Sequence, residues 1–212
     1  MITQMKKRRY VLKRRAEQQA ETRDRIVDAT MTLHEELGPK ATTISAIAER
    51  AGVERLTVYR HFPSDDSLLH ACSSRFIQLN PPPDPTTWET ISDPVVRVRA
   101  TLRALYRYYR QTERMWTRVY HDEEEVPAVK TVMKGFRGYL AQLRDDLVVA
   151  LKPASAGRRR LKAVLTHCLM FSTWQSLKHQ GLGDVAMADL MVQWLVALSP
   201  PAREEALSLE RP

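Results

Sequence analysis

The stretch "TTISAIAERAGVERLTVYRHF", Thr42 to Phe62, changes from small and apolar to polar and aromatic around one Gly-Val pair. Before the pair, Ile44, Ile47, Ala48 and Ala51 recur at the i, i+3, i+4, i+7 spacing of a helix with one buried face. Gly52 adopts positive φ at little cost, so it ends that helix and turns the chain, and Val53 can drop back into the core. Glu54 to His61 then forms a second short helix carrying Arg55, Thr57, Tyr59, Arg60 and His61. A segment this short is not stable alone, so a neighbour must hold it with its polar face outward. Two short helices joined by a tight glycine turn make a helix-turn-helix, whose second helix can lie in the DNA major groove. Arg can contact guanine through two hydrogen bonds, Thr offers a methyl and a hydroxyl, and Tyr and His can donate to phosphate oxygens. An ordinary surface helix pair has the same spacing.

The surrounding chain reads as helical throughout. Ile26, Ala29, Leu33 and Leu37 form an apolar stripe that stops at Gly38-Pro39, giving a first helix beside the pair. Ser64 is an N-cap candidate for a fourth helix carrying Leu68, Leu69, Cys72, Phe76 and Leu79. "NPPPDPTTWETISDP", residues 80–94, cannot continue a helix because proline lacks the donor and fixes φ. Beyond it, Val95 to Tyr109, Val129 to Leu147, Leu161 to Gln175 and Leu190 to Leu198 each mark a helix, with a shorter one around Met115–Tyr120. The expected fold is all-α. Its parts are a basic N-terminal arm (1–20), a helix-turn-helix domain with a connecting fourth helix (21–79), a Pro-rich linker (80–94), a helical domain (95–198) and a frayed tail (199–212).

At 212 residues and 43% hydrophobic content, the chain can bury a sizeable core in one or two domains. Neither cysteine sits in a C-x-x-C or metal-ligand spacing, and no run of 18 apolar residues occurs, so a cytoplasmic protein with no disulfide, metal or membrane span is expected. The net charge of +8 is unevenly spread. Residues 1–20 carry Lys6, Lys7, Arg8, Arg9, Lys13, Arg14 and Arg15 against one acid, Glu17, whereas residues 21–79 carry seven bases and nine acids. The arm therefore supplies the positive charge for phosphates, unless it is only a solvated tail.

A basic arm, a three-helix head, "TTISAIAERAGVERLTVYRHFPSDDSLL" and an all-helical C-terminal body resemble the TetR/AcrR family of transcriptional repressors. The specific likeness covers residues 22–76 and is strongest from Gly52 to Ser64. The resemblance implies a homodimer on a palindromic operator in double-stranded DNA, released by a small-molecule effector; no cofactor is expected. It places Arg55 and Thr57 at base-contacting positions, Tyr59, His61 and Thr43 at phosphate-contacting ones, and Phe62 as the core aromatic. The chain departs from the family at Asp65-Asp66, where a phosphate-binding Lys is often found. Two carboxylates there suit the helix dipole but repel a phosphate.

The C-terminal body is rich in aromatics and methionines, which line either an apolar pocket or an ordinary core. The resemblance implies a pocket, for which Tyr109, Trp116, Tyr120, Met133, Phe136, His167, Met170, Phe171 and Trp174 are the candidates. It also implies dimerisation through the last two helices. Their apolar faces carry Leu161, Val164, Leu165, Cys168, Phe171, Leu190, Met191, Trp194 and Leu198, and a thick monomer core would use the same residues. Arg99, Arg103, Arg107, Arg110 and Arg114 form one stripe, expected to pair with the acids of "HDEEE" at His121–Glu125. That acidic run is expected to be solvated rather than metal-binding. No G-x-S-x-G, P-loop or H-E-x-x-H motif is present, which argues against an enzyme. The remaining alternative is a DNA-binding protein of the nucleoid type, without operator specificity.

Overall fold

The structure, a computed structural model, describes residues 2–198, without the side chains of residues 2–9, 11 and 198. The expected tail at 199–212 lies outside the described residues, as do the side chains of Lys6, Lys7, Arg8, Arg9 and Leu198. All regular elements among the described residues are helices: α1 Ile2–Leu37, α2 Ile44–Ala51, α3 Arg55–His61, α4 Asp65–Leu79, α5 Thr86–Glu89, α6 Pro94–Asp122, α7 Pro127–Leu151, α8 Ser155–Cys168, α9 Phe171–His179 and α10 Asp184–Leu198. None is long and apolar enough to cross a membrane.

The chain forms two compact units, one from residues up to Pro81 with Arg114–Met133, the other from Pro82–Glu113 with the chain from Lys134 onward. This differs from a simple division at residues 80–94, because α6 and α7 each contribute to both units. The first unit, the head, has a core of Ile26, Val27, Leu33, Ile47, Ala48, Ala51, Val58, Phe62 and Leu68. Phe76 of α4 meets Trp116 edge-on, with ring centroids 6.2 Å apart. Leu37 and Leu79, at the ends of their helices, are exposed instead of joining the expected stripes.

In the second unit the core is aromatic. Tyr106, Tyr109, Phe171 and Trp174 are fully buried with Leu102, Leu105, Leu165 and Leu169. Tyr109 packs against Phe136, Phe171 and Trp174 with centroids 5.4 to 6.3 Å apart. α6 is tied to α10 by Arg99 and Arg103 on Asp189 and by Arg110 on Asp184.

Four expectations need correction. The first 20 residues are not set apart from the first helix, since α1 runs unbroken from Ile2 to Leu37. The interval 80–94 contains a short helix, α5, which Trp88 anchors by burial. The separate helix around Met115–Tyr120 is the last part of α6. The single helix over Leu161–Gln175 is two helices, broken at Leu169-Met170. There Tyr106 donates to the Cys168 carbonyl at 2.8 Å, Tyr109 to that of Leu169 at 2.7 Å, and Thr173 to that of His167 at 2.7 Å. These hydroxyls satisfy carbonyls that a continuous helix would have bonded to its own backbone.

Candidate nucleic-acid interface

α3 is held in place by local chemistry on both sides. Upstream, the Thr43 hydroxyl oxygen accepts the Ala46 N–H at 3.2 Å and caps α2. Gly52 closes α2 in the left-handed conformation, at φ 64° and ψ 43°. Its N–H bonds to the Glu49 carbonyl, that of Val53 bonds to Ala48, and the Arg25 guanidinium donates to the Ala51 carbonyl at 3.1 Å. Downstream, Ser64 and Ser67 cap α4 reciprocally. Asp65 and Asp66 stand exposed in the first turn of α4, where they favour the helix dipole.

Packing then decides which way α3 faces. Val58 is completely buried in the head core, and Phe62 just beyond α3 is buried beneath the Arg23 guanidinium, 4.8 Å from its ring centre. At 100° per residue, Leu56 and Arg60 project about 160° from Val58, to either side of the outward direction. Arg55, Leu56, Tyr59 and Arg60 are exposed, while Thr57 and His61 are half-buried on the flanks. The side chains of Arg55, Tyr59 and Arg60 make no hydrogen bond or ion pair with any other described residue, so their donors remain available. Thr43 is exposed, and its hydroxyl proton is not consumed by the cap, in which the oxygen is the acceptor. Lys13, Arg14 and Arg15 are exposed on α1. Leu56, which a helical wheel places opposite Val58, is exposed on the same face as Arg60.

The other candidate sites separate less cleanly. Of the suggested pocket residues, Tyr109, Phe136, Phe171 and Trp174 pack on one another in the second unit, and Trp116, Tyr120 and Met133 belong to the head. His167 and Met170 are exposed, beside the break between α8 and α9. Among the suggested dimer residues, Leu161, Leu165, Cys168, Phe171 and Met191 are monomer core. Val164 and Leu190 are half-buried, and on α10 Trp194 keeps 51% of its surface exposed. Apolar stripes on α8 and α10 therefore serve the interior first, and the surface left over is narrower than expected.

The acidic run is engaged locally. Lys40 pairs with Glu125, Lys130 with Glu124, and His121 with Asp122. The arginine stripe does not pair with this run as expected, because Asp184 and Asp189 of α10 take its members Arg99, Arg103 and Arg110. Among the described residues no group of three or more His, Cys, Asp or Glu side chains could hold a metal.

Comparison with known proteins matches residues 26–72 to the family described as bacterial regulatory proteins, tetR family. Over 60 residues the chain is 43% identical to the HTH-type transcriptional repressor KstR of Mycolicibacterium smegmatis, covering 28% of this chain and 29% of that protein. Over 57 residues it is 46% identical to KstR of Rhodococcus jostii, covering 27% of each chain. The chain thus matches less than a third of the length of these relatives. Among solved structures, a TetR-like transcriptional regulator from Rhodococcus sp. RHA1 shares the fold at TM-score 0.57 and 17% identity, over 82% of this chain and 93% of that one. AibR, solved with isovaleryl coenzyme A and operator DNA, shares it at TM-score 0.58 and 19% identity, over 85% and 99%.

Proposed function

We propose that the chain, whose residues 26–72 match the tetR family of bacterial regulatory proteins, is a transcriptional regulator rather than an enzyme and binds an operator through α3. In this reading it is a repressor that acts as a homodimer on a palindromic site and leaves DNA when a small molecule binds. The observation that carries the reading is the orientation of α3: Val58 is inward, Arg60 is on the opposite face, and Arg55 and Tyr59 are exposed on its flank, all three with unengaged side-chain donors. Arg55 and Thr57 are assigned to base edges, and Thr43, Tyr59, Arg60 and His61 to phosphates or adjoining bases.

The basic side chains of residues 1–20 extend the phosphate contact along the duplex. Domain roles follow the same assignment, with residues 21–79 binding DNA and residues 95–198 binding effector and partner. The ligand-bound AibR structure supports an effector site in a body of this fold, and the half-exposed Trp194 on α10 supports a partner contact. The test is selection of duplexes from random DNA by the full chain, followed by binding to the selected and scrambled sequences at one salt concentration. A repressor prefers the selected sequence by roughly 10³ or more. A protein of the nucleoid type binds both alike.

A further inference from the structure

The outward face of α3 has an apolar centre. Leu56 is 70% exposed, more than any other large hydrophobic side chain among the described residues, and it points away from the head core that Val58 fills. Arg60 stands one turn further along the same face, and the exposed Tyr59 and Arg55 lie on the other flank, about 60° and 100° round the helix from Leu56. A lone exposed leucine is unremarkable on most surfaces. At the centre of a face flanked by unengaged cations, it lies where an anionic duplex would approach most closely.

We propose that Leu56 is a specificity-determining residue that reads the C5 methyl group of a thymine in each half-site. The proposal rests on the assignment of α3 as the recognition helix. In the major groove guanine presents two acceptors, cytosine a donor and adenine one of each, whereas thymine adds a methyl group to its single acceptor. Leu56 has no donor or acceptor to offer. Pressed against a guanine or cytosine edge, it would strip water from polar atoms and replace no hydrogen bond. Against a thymine methyl it buries apolar surface on both partners. The same side chain therefore favours one base and penalises the others.

Deoxyuridine in place of thymine removes the methyl and keeps every hydrogen-bonding atom of the base. In the duplex selected by the full chain, each thymine is replaced singly, and affinity is measured at fixed salt for the wild type, Leu56→Ala and Leu56→Met. Loss of the methyl at one thymine per half-site should weaken the wild type about four-fold, the value of one buried methylene group. Leu56→Met should keep that sensitivity, and Leu56→Ala should bind both duplexes equally. A wild type indifferent to methyl loss at every position overturns the proposal, as does a Leu56→Ala protein that is still methyl-sensitive there. In either case a selected sequence still stands for the regulator. If the chain selects no sequence at all, the regulator reading falls and Leu56 falls with it.

Discussion

The Asp122 carboxylate accepts the backbone N–H of Lys40 at 2.9 Å, fastening the last turn of α6 to the connection between α1 and α2 inside the head. The same Oδ2 atom lies 2.5 Å from where a Cβ on Gly38 would stand, and Gly38 has φ +93°. Two independent causes therefore exclude a side chain at residue 38.

Gly38→Ala should destabilise the head by about 1–3 kcal/mol through backbone strain, with a further loss from the overlap. Asp122→Ala should cost about 1–3 kcal/mol by leaving the Lys40 N–H without its acceptor. In urea denaturation the double variant should be less destabilised than the sum of the two, because removing the carboxylate relieves the overlap. Simple additivity would show that the two residues do not meet in this way.

Burial lowers the His34 imidazole from its usual 6.5 to about 4, against an upward pull from Asp122. Its Nδ1 lies 3.6 Å from the Cys72 thiol, itself pushed up to about 12 by burial. The unfolded chain takes up this proton near pH 6.5 and the folded chain only near pH 4, so the unfolded state binds more protons between them. The contribution is intact above pH 6.5 and is lost as pH falls toward 4, by about 3 kcal/mol at the lower end. His34→Gln should remove this part of the slope. Denaturation midpoints of the two proteins that fall in parallel from pH 7 to pH 4.5 would contradict the assignment.

Tyr109→Phe should leave the buried Leu169 carbonyl without its 2.7 Å donor and cost about 1–3 kcal/mol while preserving ring packing. The loss should appear in thermal or urea unfolding. A variant as stable as the wild type would mean that the hydroxyl does not stabilise the break between α8 and α9.

Trp194 and Leu165 should answer differently to the same change. Leu165→Asp places a carboxylate in the monomer core and should unfold the second unit, whereas Trp194→Asp changes a half-exposed side chain and should leave helicity intact. If α10 carries the partner contact, sedimentation of Trp194→Asp should show folded monomers where the wild type is dimeric. A wild type that sediments as a monomer at micromolar concentration rejects the dimer.

The head was legible because its determinants are local. Gly52, the Thr43 cap, the Ser64 cap and the period of Ile44 to Ala51 all lie within a turn or two of what they control. The break between α8 and α9 was hidden because no Pro or Gly marks it, and the hydroxyls that satisfy it come from Tyr106 and Tyr109, about sixty residues away. Apolar faces on α8 and α10 had the right period, but period alone cannot say whether Leu165 or Met191 faces its own core or a partner. Of the candidate DNA contacts, the outward direction of Arg60 follows from Val58 by the helical period. Leu56 follows from the same geometry and needed only that an apolar side chain be considered.

The central claim is that α3 reads bases, and Arg55→Ala tests it most directly. The substitution is at an exposed position, so folding should be unchanged. Affinities of wild type and Arg55→Ala are compared across all single-base variants of the selected operator at constant salt. Loss of one two-hydrogen-bond contact should cost about 1–3 kcal/mol and flatten the preference at one position per half-site, leaving the other positions as they were. Base preferences identical to those of the wild type at every position would contradict base reading by Arg55 and, with it, the assignment of α3.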